Sequence, residues 1–297
     1  MQGTSAPRWT ARGAATGVDY SRLFTANFSH AFRIVLLGKT GMGKSSLGNT
    51  LLGNNIFREG RGLSSETTHC KWGFSSTKNL QVTDTPGLCD THRSEDAILR
   101  EVGKSVAVAS PGPHVVLMVL RCDRFTEEEF SAFTSLKKLF GDRICSFMVV
   151  VFNKLDNYGD DLTLAEQRQQ LNTEVMNPPP LLSHVLHETG YRYFGMNNKA
   201  SPTVKRSQAQ ELLQYMRDVA NQNGGVYYTN NLCREIESGV ESLVQRRMRT
   251  TNTSREQAEL TIKQDIVEER VEPGFLNSVI GAVKGAARAV KEKCSVM

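Results

Sequence analysis

The chain lacks several features that would put it in a specialised class. No stretch approaches the ~18 consecutive apolar residues of a membrane span. The N-terminus has no compact apolar core of the secretory kind. The six cysteines (Cys70, Cys89, Cys122, Cys145, Cys233 and Cys294) are scattered, with no C-x-x-C pair. That excludes a disulfide framework or a C-x-x-C zinc site and fits reduced thiols in the cytosol. A large excess of one sign of charge is lacking too. The formal net charge is +5 over 297 residues, too mild to argue for nucleic acid, and no nucleic-acid partner is expected. No internal repeat is visible. What remains is ordinary globular composition, 39% hydrophobic and 23% charged, with room for one large domain and appendages.

Residues 1–30 are rich in Gly, Ala, Ser, Thr and Arg without apolar periodicity and read as a flexible arm. Apolar runs at 32–37, 80–82, 115–120 and 147–152 predict buried strands, with a further one at Tyr191–Phe194. Helical patterns lie at 44–52, 94–109, 127–140, 163–175 and 205–222. Strands alternating with helices predict an α/β domain with a mostly parallel sheet covered on both faces, over residues 31–229. The run Pro178-Pro179-Pro180 reads as a loop. Residues 230–272 form a charged, helix-prone extension, restarted by a capping-box-like Ser254-Arg255-Glu256-Gln257. Residues 273–297 form a basic amphipathic segment.

Gly38-Lys39-Thr40-Gly41-Met42-Gly43-Lys44-Ser45 matches G-x-x-x-x-G-K-[ST], between a predicted strand and a helix that also carries Ser46. Glycines let successive N–H groups face one anion, and the following helix adds its positive end. Lys44 would reach the β- and γ-phosphates, and Ser45 would ligate Mg²⁺. Asp84-Thr85-Pro86-Gly87 follows the second strand. Asp84 suits the outer shell of the metal, and Gly87 can bring its N–H to a γ-phosphate. Asn153-Lys154-Leu155-Asp156 completes the set. Asp156 can accept two hydrogen bonds from guanine, where adenine offers no donor pair and leaves the carboxylate unmatched. The stem of Lys154 can lie along the base, and Asn153 can brace the loop. The expected ligand is therefore GTP or GDP with Mg²⁺, and an ATP-using protein is opposed by Asp156.

These motifs, together with 112–120 (GPHVVLMVL), Arg124-Phe125-Thr126-Glu127-Glu128-Glu129, Arg192-Tyr193 and Asn197-Asn198-Lys199-Ala200, resemble the immunity-associated (IAN, or GIMAP) GTPases. The resemblance runs from about Phe32 to Tyr228. It implies a Ras-like P-loop GTPase domain of the AIG type with extra helices, able to pair through its nucleotide face as a homodimer or with related GTPases. It aligns 65–70 with the first switch, so that Thr67 falls where an Mg²⁺- and γ-phosphate-sensing threonine is expected. It also brings Asn197 or Asn198 to the base. Many members carry T-R-x-D at the fourth motif, where this chain has the full N-K-x-D.

One more absence bears on activity. Ras-type enzymes place a water-orienting glutamine just after D-x-x-G, and here Leu88, Cys89 and Asp90 follow Gly87. Slow turnover alone is expected. The family resemblance implies that Arg124 can act as a catalytic finger across a dimer; the alternative is a surface arginine paired with Glu127 or Glu128. His69 could orient water or lie solvated. Hydrolysis completed by dimerisation and a non-hydrolysing GTP-dependent scaffold both stay open. Finally, Cys294-Ser295-Val296-Met297 fits C-a-a-X with a terminal methionine, a farnesylation pattern. Leu276, Val279, Ile280, Val283, Ala286, Ala287 and Val290 recur at helical spacing beside Lys284, Arg288 and Lys291. Attachment to the cytosolic face of a membrane is expected, with the helix packed on the GTPase domain as the alternative.

Overall fold

A computed structural model describes residues 31–57, 69–87 and 94–295, excepting the side chains of Glu95 and of 290–295. Six strands form one sheet: β1 (Phe32–Leu37), β2 (Lys71–Ser75), β3 (Leu80–Asp84), β4 (Val115–Arg121), β5 (Met148–Asn153) and β6 (Tyr193–Gly195). Their order is β2-β3-β1-β4-β5-β6, and every pairing is parallel except β2 with β3. β1 and β5 are buried along their whole length, which explains why they read as unbroken apolar runs rather than alternations. Ile34 and Leu36 face one core, Val35 and Leu37 the other. Each such side chain contributes roughly 1.5–3 kcal/mol by leaving water.

Helices cover both faces: α1 (Lys44–Leu52), α2 (Glu95–Val108), α3 (Glu127–Phe140), α4 (Leu164–Met176), α5 (Pro180–Glu188) and α6 (Pro202–Gln222). Thr126 and Glu129 close a full capping box on α3, and Thr163 and Glu166 do so on α4. Two features depart from the expectations. β2 was not expected, and the proline run is no plain loop: Pro180 opens α5, where its missing N–H would have had no helical partner in any case.

Three further helices follow, α7 (Asn231–Thr251), α8 (Arg255–Val267) and α9 (Pro273–Ser295). Asn252, at φ 51°, ends α7, and the Ser254 hydroxyl accepts from Gln257 N to start α8. The three helices share one apolar core with α2, in which Ile236, Ile262, Ile266 and Val283 are buried with Val102. The apolar stripe of α9 therefore packs on the protein as far as Ala286, and Lys284 pairs with Asp96 of α2 at 2.9 Å. An ionic chain, buried at Glu101 and Lys104 and exposed at Glu269, adds to this junction. Lys104 Nζ lies 2.6 Å from Glu101 Oε1 and 3.1 Å from Glu269 Oε1. Glu101 Oε2 in turn accepts from Cys70 N at 2.5 Å. No described helix is long and apolar enough to cross a membrane. Cys70, Cys122, Cys145 and Cys233 are buried and unbridged.

Candidate functional site

The parallel order diverges at β1, whose neighbours β3 and β4 lie on opposite sides. Crevices outside the carboxyl ends of strands at such a point are where open α/β sheets bind ligands. Gly38–Gly43 leaves β1 at that point and feeds α1. The backbone has positive φ at Gly38, Gly41 and Gly43. Lys44 is buried and donates to Gly38 O at 2.9 Å and Lys39 O at 3.0 Å, so its ammonium sits inside the loop's curl. Lys39 reaches outward, 3.8 Å from Glu128. Ser46 is half-buried in the first turn of α1.

The β1–β3 register sets Leu36 beside Asp84. Ser45 Oγ donates to Asp84 Oδ2 at 2.6 Å. Asp84 is fully buried, and its Oδ1 has no hydrogen-bond partner among the described residues. Burial pushes its carboxyl above the usual range, against the pull of the Ser45 hydrogen bond and the Lys44 charge. A buried carboxylate oxygen without a donor, next to a hydroxyl at the loop's exit, is a donor set that fits Mg²⁺. Gly87 presses on the loop: a Cβ there would stand 2.4 Å from Thr40 Oγ1 and 2.8 Å from Thr40 N. Only glycine brings the D-x-x-G turn this close.

The third motif joins the same edge. Asn153 Nδ2 donates to Met42 O at 2.9 Å, so this side chain braces the phosphate loop as expected. Lys154 takes the left-handed conformation, φ 62°, and Asp156 follows in a short 3₁₀ turn. Asp156 is buried, and neither carboxylate oxygen accepts a hydrogen bond of good geometry. Its charged neighbour is Lys199, whose Nζ lies 2.6 Å from Oδ2 although the rest of that side chain is exposed.

The two asparagines of the last motif differ sharply. Asn197 is consumed by its own loop: its Oδ1 accepts from Lys199 N and Ala200 N, and its Nδ2 donates to Gln167 Oε1. Gln208 clamps its backbone from α6, donating to Asn197 O and accepting from Asn197 N. Asn198 Oδ1 is buried without a partner, and its amide nitrogen lies near Gly43.

Arg124 is exposed in the turn after β4, in a bridge with Arg121. It makes no ion pair with a described residue, and so the pairing with Glu127 or Glu128 does not occur among the described residues. Asn157 Nδ2 donates to Asp123 Oδ2 at 3.0 Å, tying the Arg124 turn to the Asp156 turn. His69 is mostly exposed and stands 3.3 Å from Glu101. Thr67, Leu88, Cys89, Asp90 and the side chain of Cys294 lie outside the described residues.

A sequence model of the AIG1 family matches residues 32–247. The chain belongs to the AIG1 family. Among curated relatives of this AIG1-family chain, Immune-associated nucleotide-binding protein 9 of Arabidopsis thaliana is 33% identical over 69% of the chain. Immune-associated nucleotide-binding protein 10 of the same plant is 34% identical over 80%. The chain spans 59% and 52% of the lengths of these two relatives. Among solved structures, a dimerization-deficient mutant of Toc33 from Arabidopsis thaliana aligns with TM-score 0.51. It covers 68% of this chain and 89% of its own, at 18% identity. Toc33 with Mg²⁺ and GMPPNP aligns with TM-score 0.50 at 20% identity, over 68% of this chain and 89% of its own. At these identities the likeness shows the fold alone, the Ras-like GTPase domain that the motifs implied.

Sequence reasoning missed Lys199, Gln167 and Gln208. Lys199 stood inside a quoted motif, but nothing in its spacing points at Asp156. Gln167 and Gln208 lie on α4 and α6, 30 and 11 residues from the loop they shape, and each is buried on the core side of an otherwise polar helix turn. That placement was the available signal.

Proposed function

We propose that this AIG1-family chain is a guanine-nucleotide switch that holds GTP or GDP with Mg²⁺ and hydrolyses GTP slowly until a second GTPase molecule docks on its nucleotide face. The observation that carries the reading is the buried Asp156 carboxylate, without a well-formed hydrogen bond, on a turn whose Asn153 is bonded into the phosphate loop.

The roles follow from the chemistry of each group. The amides of Gly38–Ser45 and the ammonium of Lys44 bind the β- and γ-phosphates, and Thr40 and Met42 belong to the same curl. Ser45, Asp84 and Thr67 are the metal's protein ligands or outer shell, and Gly87 offers its N–H to the γ-phosphate. Mg²⁺ supplies charge neutralisation on the phosphates. Asp156 selects guanine, the stem of Lys154 lies along the base, and Asn198 contacts it while Asn197 builds the loop. Arg124, exposed and without an ion pair to a described residue, is the group one copy presents to the phosphates of the other, where a guanidinium neutralises charge developing in transfer. The partner is a second copy or a related GTPase.

Without a glutamine after Gly87, a non-hydrolysing membrane scaffold is the competing reading. Phosphate release per molecule is expected to rise with protein concentration and to fall at least tenfold in Arg124→Ala. A rate independent of concentration, with bound GTP intact, decides for the scaffold. For the base, Asp156→Asn is expected to weaken GDP binding by about 100-fold or more; equal affinity for GTP and ATP in the native chain would sink the guanine assignment. Farnesylation of Cys294 would hold the protein to a cytosolic membrane face. With the apolar stripe of α9 packed on α2, the helix adds basic charge to that attachment rather than apolar area. Intact mass from a eukaryotic host, with Cys294→Ser as control, tests the lipid.

A further inference from the structure

A second cavity lies at the opposite edge of the sheet from the phosphate loop, where the parallel strands begin. It has a volume of about 500 Å³, within the range of small-molecule sites. Its floor is cationic. Arg33 of β1 and Gln81 of β3 are register partners and both are buried. Lys263 descends from α8 and donates to Gln81 Oε1 at 2.6 Å. Arg33 donates through Nε to Gly112 O at 2.7 Å and through Nη1 to Ala31 O at 3.2 Å, and its guanidinium lies over the Tyr227 ring. Both cations are more than nine-tenths buried, and no carboxylate lies within ion-pair distance of either among the described residues. Burial depresses both, Arg33 to about 10 and Lys263 to about 8. Two buried cations with no directly bonded anion are costly, since Glu259 acts on both and Glu237 on Arg33 only at longer range, and each keeps N–H donors beyond the bonds just named.

The rim has the opposite sign. Glu237, Glu241, Glu256 and Glu259 line it. Arg255 engages Glu241 and Glu259, whereas Glu237 and Glu256 make no ion pair with a described residue. Between floor and rim the wall is apolar, from Phe74, Val240, Val244 and Leu260. This sequence of surfaces specifies a ligand. The floor takes an oxyanion, the wall takes methylenes, and the rim takes an ammonium. A dianionic phosphate would meet four rim carboxylates, so a singly charged carboxylate suits the floor better.

We propose that this cavity binds a small ω-amino carboxylate, with its carboxylate on Arg33 and Lys263 and its ammonium between Glu237 and Glu256. The site is separate from the nucleotide loop and rests on none of its roles.

The test is calorimetric titration of the full-length protein at neutral pH with 6-aminohexanoate, hexanoate and hexylamine. One-site binding of 6-aminohexanoate is expected, about tenfold or more tighter than hexanoate, with no binding of hexylamine. Lys263→Gln should abolish it. Glu237→Gln, at a half-exposed rim position, should bring 6-aminohexanoate down to the affinity of hexanoate. Absence of binding, or equal binding in Lys263→Gln, overturns the site. Equal affinity for 6-aminohexanoate and hexanoate in the native protein overturns the ammonium subsite. Should Lys263→Gln fail to fold, Glu237→Gln alone carries the discrimination.

Discussion

At the scale of single residues, the nucleotide edge is a set of polar groups with partners missing. Asp84 Oδ1 and Asn198 Oδ1 are buried with no hydrogen-bond partner among the described residues, and buried Asp156 meets only the ammonium of Lys199. Such groups cost about 1–3 kcal/mol each when left unmatched, and the same cost is recovered when a ligand supplies the donors. Lys199 meets Asp156 at 2.6 Å and, on the proposed role of Asp156, gives way to guanine. Lys199→Ala is expected to raise GDP affinity only a few-fold, because an exposed lysine forms a weak, screened pair; stopped-flow binding of a fluorescent GDP checks this. Lys263 makes a different prediction. Burial and the Arg33 charge depress it to about 8, with Glu259 opposing. Between about pH 8 and the unfolded value, the folded chain binds fewer protons than the unfolded chain, so this residue's contribution to stability rises with pH. The difference in unfolding free energy between native protein and Lys263→Met should therefore climb between pH 8 and 10, by on the order of 2 kcal/mol. A flat difference in denaturant titrations would contradict it.

At the scale of elements, the strands β1, β4 and β5 and helices α1 to α4 were legible because their patterns are local. Strand β2 was not. Lys71-Trp72-Gly73-Phe74-Ser75 is short and polar at both ends, and glycine is a weak strand former. Gly73 is required because a Cβ there would stand 2.7 Å from Leu52 of α1, a tertiary constraint that leaves no periodic trace. In the site the three nucleotide motifs were readable outright, since each is contiguous. The choice between Asn197 and Asn198 was not, because Gln167 and Gln208 come from distant helices. Helix α9 was legible as amphipathic, but sequence alone could not say what its apolar stripe meets. Here Val283 is fully buried in the core it shares with α2. Val283→Asp should cost more than about 3 kcal/mol, as an unpaired buried charge does, measured by urea unfolding. Ser254→Ala should cost only about 1 kcal/mol, the value of an N-cap.

At the scale of the whole molecule, one sheet carries a proposed site at each end. The phosphate loop, Asp84, Asp156 and Arg124 gather at the carboxyl ends of the strands. The cationic cavity lies at the amino ends, roofed by α7 and α8. Helix α2 is placed to feel both ends. It follows the D-x-x-G turn in sequence, and its buried face joins α7, α8 and α9 in one core. The chain of contacts from Cys70 N through Glu101 and Lys104 to Glu269 has a mechanical consequence. It spans three parts of the fold with contacts of 2.5 to 3.1 Å, and a helix advances ~1.5 Å per residue. A slide of α2 by a single residue would stretch the Lys104–Glu269 contact and draw Glu101 away from Cys70 N, while Lys104 and Glu101, one turn apart on the same helix, would stay paired. These contacts tie helix α2 to the carboxyl-terminal helices, so the two are expected to shift together rather than to slide past each other.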